Sequence, residues 1–149
     1  LKKALIFLPV IGLYFLRAGA IPITRDQGLN ALRKMGINAK KAVKENRSMM
    51  IFPQGTRVKP GISSKEKPYL PGVFFLYSQA KVPVIPVAHN AGLLWPKNSF
   101  FKYPNRLRSK SVTIQILPEI KPGLSKQEFL TKLENIIETA SNKLITLEK

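Results

Sequence analysis

The chain of 149 residues has no cysteine, one histidine (His89) and one aspartate (Asp26). Without cysteine there is no disulfide framework and no thiolate chemistry, which suits a reducing compartment. So sparse a set of His, Asp and Cys cannot form a usual ligand set, so no metal site and no cofactor are expected. Long apolar runs are missing too. The longest, 4–16, has 13 residues and is interrupted by Pro9 and Gly12, whereas a spanning helix needs about 20. Negative charge is scarce: 8 Asp+Glu stand against 25 Lys+Arg, a net charge of +17. Such a surface attracts polyanions, meaning nucleic acid, an anionic membrane face or phosphorylated substrates. Hydrophobic content of 44% and charged content of 22% are ordinary globular values and exclude disorder. The length suits a single domain with a real core.

Along the chain, 4–16 reads as a helix, either buried or lying on a membrane surface. A short strand is expected at 21–24. Over 27–45 the apolar positions Leu29, Leu32, Met35 or Gly36, Ala39 and Val43 recur at helical spacing among Lys and Arg. A strand at 48–52 ends at Pro53, and 58–70, rich in Lys, Pro, Ser and Gly, reads as a mobile surface loop. Pro71 and Gly72 open an apolar helix through Ala80, with Pro where its missing N–H does no harm. The β-branched run 82–88 holds two prolines, so it is an edge strand or irregularly paired. A basic aromatic loop follows at 98–110, then an alternating strand at 112–116. The helix 125–147 starts at Ser125 with Glu128 three residues on, a capping box, and carries the stripe Phe129, Leu133, Ile136 or Ile137, Ala140 and Leu144. Strands alternating with helices predict one α/β domain over 1–149, with a mixed and partly parallel sheet flanked by helices.

The most informative stretch is Phe52-Pro53-Gln54-Gly55-Thr56-Arg57. Pro ends a sheet ladder, Gly lets backbone amides approach a ligand, Thr56 can donate a hydrogen bond, and Arg57 offers a planar fork suited to phosphate. That is an anion cradle at a strand end, or else a strand-ending turn with a solvated Arg.

With this stretch placed between Arg25 and the strand 82–87, the chain resembles the glycerophospholipid acyltransferase family, in particular bacterial 1-acyl-sn-glycerol-3-phosphate O-acyltransferases. The family's second block, Gly, apolar residues and Asp-Arg, resembles Gly19-Ala20-Ile21-Pro22-Ile23-Thr24-Arg25. Its third, Phe-Pro-Glu-Gly-Thr-Arg, matches Phe52 to Arg57 with Gln54 for Glu. Its fourth, Val-Pro-Ile-x-Pro-Val, matches 82–87. Lys2 matches a Lys that follows the first block. The resemblance implies a glycerol-3-phosphate acyltransferase-like fold. It implies transfer of a fatty acyl group from acyl-CoA or acyl-ACP to the sn-2 hydroxyl of lysophosphatidic acid, giving phosphatidic acid. It also implies a place at the membrane surface, on the cytoplasmic face of the inner membrane. Arg25, Arg57, Thr56, Gly55 and Lys2 would bind the substrate phosphate.

The first block of the family, a His-x4-Asp base, has no counterpart here. His89 and Asp26 are 63 positions apart in the opposite order, and Leu94 stands five positions after His89. His89 is therefore expected to be a structural strand-end residue. No catalytic residue is expected within the chain, which reads as an N-terminally truncated acyltransferase domain, inactive alone. Thr24 and Gln54 each replace an acidic residue. The alternative is a non-catalytic binder of anionic lipid or lysophospholipid at the membrane surface. Nucleic acid is not an expected partner, because the charge is dispersed and no recognisable nucleic-acid motif is present.

Overall fold

The computed structural model describes residues 7, 10–21, 28–94 and 111–147. The chain separates into two compact units, Leu1–Met49 and Met50–Lys149.

In the first unit, α1 spans Ile11–Arg17 and α2 spans Gly28–Lys44. The apolar stripe of α2 buries Met35, Gly36, Ala39 and Ala42. Leu29, expected in that stripe, is instead 84% exposed. At about 100° per residue it lies roughly 80° from Ala39, at the margin of the buried face and in the first turn. Beyond α2 the Arg47 guanidinium packs on Gly19, whose φ of +70° disfavours any side chain and where a Cβ would oblige the guanidinium to move. Arg47 also pairs with Glu45 at 2.5 Å. In α1, Gly12 is buried while Leu13, Tyr14 and Leu16 face outward.

The second unit contains α3 (Pro71–Ala80), β1 (Val87–His89), β2 (Ile114–Ile116) and α4 (Lys126–Leu147). Helix α3 matches the expected bounds, with Pro71 at its first turn. The capping box of α4 forms as expected: Glu128 N donates to Ser125 Oγ at 3.3 Å and Ser125 N donates to Glu128 Oε2 at 2.9 Å. The bonds from Ser125, its hydroxyl first and its amide second, hold the Glu128 carboxyl below its ordinary value. Phe129, Leu133, Ala140 and Leu144 are buried along one face of α4, the stripe read from the sequence.

The sheet differs from expectation. Among the described residues it is two antiparallel strands, with Val87 opposite Ile116 and His89 opposite Ile114. Of the expected partners for parallel pairing, 22–24 lie outside the described residues and 48–52 forms no strand. The run 82–88 is irregularly paired because Pro83 and Pro86 lack the N–H a ladder needs. Pairing survives where an N–H exists: Val84 and Ile120 exchange both bonds, at 3.0 and 2.8 Å, and Leu117 N donates to the Pro86 carbonyl at 3.0 Å. One face of β1 buries Ala88 against Ala140 and Leu144 of α4. The basic aromatic loop 98–110 lies outside the described residues.

The core of this unit is built around Tyr77 of α3 and Phe129 of α4, stacked with centroids 4.0 Å apart and planes 13° off parallel. The Tyr77 hydroxyl donates to the Lys121 carbonyl at 2.8 Å and accepts from Leu124 N at 2.9 Å. Val73, Tyr69, Ile120 and Leu133 close round the pair. Replacing Phe129 with Ala should destabilise the unit by about 3–5 kcal/mol, the usual cost of truncating a fully buried ring. Urea denaturation followed by far-ultraviolet circular dichroism checks it.

Candidate functional site

The stretch 52–57 folds as a tight turn. Gly55 N donates to the Phe52 carbonyl at 2.9 Å, with Pro53 and Gln54 at the central positions. Pro at the second position and Gly at the fourth suit a type I turn. Gln54 keeps a negative φ while Gly55 sits at +63°, so type II is excluded. The amide of Gly55 is therefore engaged in closing the turn. Its contribution is a left-handed backbone, open to Gly without steric cost, that redirects the chain into Thr56 and Arg57. Thr56 is half-buried and Arg57 is exposed.

The loop 58–70 was expected to be mobile, yet it is fastened at several points. Leu70 N donates to the Pro53 carbonyl at 2.8 Å. The Gln54 amide donates from Nε2 to the Lys67 carbonyl at 3.2 Å. Ser64 N donates to Glu138 Oε1 of α4 at 2.5 Å, and Tyr69 is buried in the core. The Tyr69 hydroxyl is pushed well above the ordinary phenol range, chiefly by burial and then by Glu138 and Glu134. Anchorage by one buried ring and three hydrogen bonds overrides a composition that favours loops. It brings the exposed Lys67 beside the 52–57 turn, from which Arg57 emerges.

Of the residues singled out from sequence, the turn brings Phe52, Pro53, Gln54, Gly55, Thr56 and Arg57 together. Lys2, Arg25 and Asp26 lie outside the described residues. His89 is the last residue of β1 and is exposed. The buried polar residue at that strand end is its neighbour Asn90, whose Oδ1 accepts from Thr113 N at 2.9 Å. Sequence reasoning missed Asn90, as well as Glu138, Ser64 and the Lys67 carbonyl. No local signal marks Glu138, whose partner Ser64 is 74 positions away. No group of His, Cys, Asp or Glu suited to a metal ion occurs among the described residues.

Comparison with known proteins bears directly on this turn. The Acyltransferase family model matches residues 1–90. The chain belongs to the acyltransferase family. The match takes in Lys2, the 19–25 block, the 52–57 turn and the strand run 82–87. Among similar proteins, the 1-acyl-sn-glycerol-3-phosphate acyltransferase of Pseudomonas aeruginosa is 34% identical over 72% of this chain and 41% of its own length. The 1-acyl-sn-glycerol-3-phosphate acyltransferase beta of Homo sapiens is 32% identical over 80% of this chain and 40% of its own. The 1-acyl-sn-glycerol-3-phosphate acyltransferase of Cocos nucifera is 31% identical over 92% of this chain and 41% of its own. The chain thus spans about two-fifths of the length of these relatives. No solved structure matches it.

Two consequences of this acyltransferase turn can be measured. A carboxylate cannot donate to the Lys67 carbonyl, so Gln54→Glu should loosen the loop and cost about 0.5–1.5 kcal/mol, the net worth of a hydrogen bond. Faster amide exchange across 58–70 reports it. Because the Tyr69 hydroxyl is held neutral in the fold, its contribution to stability is complete below the ordinary phenol value of about 10. Above that value the unfolded chain ionises and stability falls. Urea midpoints at pH values of about 9 and 11 should differ less in Tyr69→Phe than in the parent chain.

Proposed function

We propose that this chain is the phosphate-gripping portion of a 1-acyl-sn-glycerol-3-phosphate acyltransferase domain. The observation that carries the reading is the Phe52–Arg57 sequence folded as one turn, presenting Arg57 outward, inside the family match. That match crosses the boundary between the two compact units, which supports treating both as parts of one functional domain. The substrate is lysophosphatidic acid. Arg57 holds the phosphate with its planar fork and Thr56 adds a hydroxyl donor. Arg25 and Lys2 supply further positive charge, and Gly55 sets the turn.

In the reaction the sn-2 hydroxyl oxygen attacks the thioester carbonyl of acyl-CoA or acyl-ACP. The C–O ester bond forms, the C–S bond breaks, and the hydroxyl proton passes through a general base to the departing thiolate. That base needs a pKa near neutrality. The family's His-x4-Asp does not occur in these 149 residues, and the reading assigns the base to a group outside them. A positioned base contributes roughly 10²–10⁴-fold to rate, so the chain alone should bind substrate and turn it over negligibly. A second reading, non-catalytic binding of anionic lipid or lysophospholipid, is favoured by the same missing block, and turnover separates the two.

The setting is the membrane surface, at the cytoplasmic face of the inner membrane. No helix among the described residues is long and apolar enough to cross a bilayer. Phe7, Val10, Leu13 and Tyr14 nevertheless face outward in the first unit, which supports peripheral attachment.

Calorimetric titration with lysophosphatidate tests the site. Arg57→Ala should weaken binding by about 1.5–3 kcal/mol, the range for hydrogen bonds to charged groups. Equal affinity in the parent chain and the variant would sink the assignment. Turnover at ordinary rates by the 149 residues alone would sink the missing-base argument.

A further inference from the structure

Helix α2 has two unlike faces. Its inner face buries Met35, Ala39 and Ala42. Its outer face carries Leu29, 84% exposed, and Ile37, 60% exposed, set among the exposed cations Arg33, Lys34, Lys40 and Lys44. At 3.6 residues per turn these six positions fall within an arc of about 140°, with Ile37 roughly opposite Ala39 and Leu29 at the edge of the arc, about 80° from Ala39. Lys41 lies in the same arc and is 3.8 Å from Glu45. The 17 residues of α2 contain no Asp or Glu. Two large aliphatic side chains held out in water amid cations that no acidic residue of the helix itself opposes are the composition of a helix that lies on a charged interface.

We propose that the outer face of α2 is a docking surface for anionic lipid, with its cations against headgroup phosphates and Leu29 and Ile37 entering the acyl boundary. It rests on the membrane setting proposed above but not on the acyl-transfer reaction. The charges alone would suit any polyanion. The aliphatic pair decides for lipid, because Leu29 and Ile37 gain burial only where an apolar phase lies behind the phosphates. They lie about two turns apart, so both can enter a surface that α2 meets side-on. Cation contacts draw the helix to the surface and weaken with salt. The aliphatic contacts do not depend on salt in that way.

The test is co-sedimentation of the full 149-residue chain with two kinds of vesicle, pure phosphatidylcholine and phosphatidylcholine mixed with phosphatidylglycerol. Neither contains lysophospholipid, so failure here leaves the Arg57 site standing, and failure at Arg57 leaves this surface standing. Binding is expected to the anionic vesicles only. The pair Arg33→Gln and Lys40→Gln should lower partitioning by roughly tenfold or more. The pair Leu29→Ser and Ile37→Ser should lower it by a similar factor, and Lys132→Gln on α4 should leave it unchanged. All four α2 substitutions are at exposed positions, and circular dichroism checks that the helix persists. The chain lacks cysteine, so an Ile37→Cys variant takes a polarity-sensitive dye at one position. Its emission should shift to the blue on anionic vesicles, while the same dye on Asn142→Cys should not. Unchanged partitioning in both double variants, or no shift at position 37, would overturn the proposal. So would loss of binding only on removing charge, with an oligonucleotide competing as well as vesicles do, because that is the behaviour of a nucleic-acid surface.

Discussion

The Tyr77–Phe129 stack is what the second unit depends on. It is an aromatic contact and a hydrogen-bond junction at once, because the Tyr77 hydroxyl also receives Leu124 N and donates to the Lys121 carbonyl. A buried phenol needs such partners, and two of them on one segment fix where the chain enters α4. With α3 held against α4, the residue just before α3 has a fixed place, and it is Leu70 N that bonds the Pro53 carbonyl. The turn that presents Arg57 is thus positioned by the core through one short chain of contacts. Where the turn sits, unlike its own shape, is not a local property of Phe52–Arg57.

That dependence explains what the sequence disclosed. Helices α3 and α4 were legible because their limits are local chemistry: Pro71 at a first turn, and Ser125 with Glu128 as a reciprocal cap. The buried stripe of α4 was legible because a period of 3.6 is a property of the residues themselves. The motif turn was legible for the same reason, Pro and Gly at fixed offsets. The fastening of 58–70 was not, since Ser64 finds Glu138 across 74 positions and composition says nothing of such pairs. Nor was the strand pairing, because Val84 opposite Ile120 depends on where two prolines leave an N–H to spare. Leu29 shows the limit of periodicity from the other side. A residue at the margin of a stripe can be assigned to either face, and here the first turn of α2 left it outside.

The acyltransferase relationship explains the motif's residue types more fully than the fold does. A Pro–x–Gly turn could end any strand. What separates this one is that Arg57 emerges where the chain has just been redirected by a left-handed Gly55, with Gln54 donating to the Lys67 carbonyl. On the proposed function, a guanidinium fork beside a hydroxyl suits a phosphate ester, whose doubly charged group is best met by several donors.

Gln54 is where the departure from the family pattern acquires physical content. A carboxylate at that position would add a negative charge to the turn, three residues before Arg57. An amide does not, and it can donate where a carboxylate only accepts. The substitution therefore removes a negative charge from the turn and lets the side chain donate to the Lys67 carbonyl instead. Neither change supplies a group able to take a proton from an alcohol. On the proposed function the turn therefore serves to grip a phosphate, and proton transfer falls to another group.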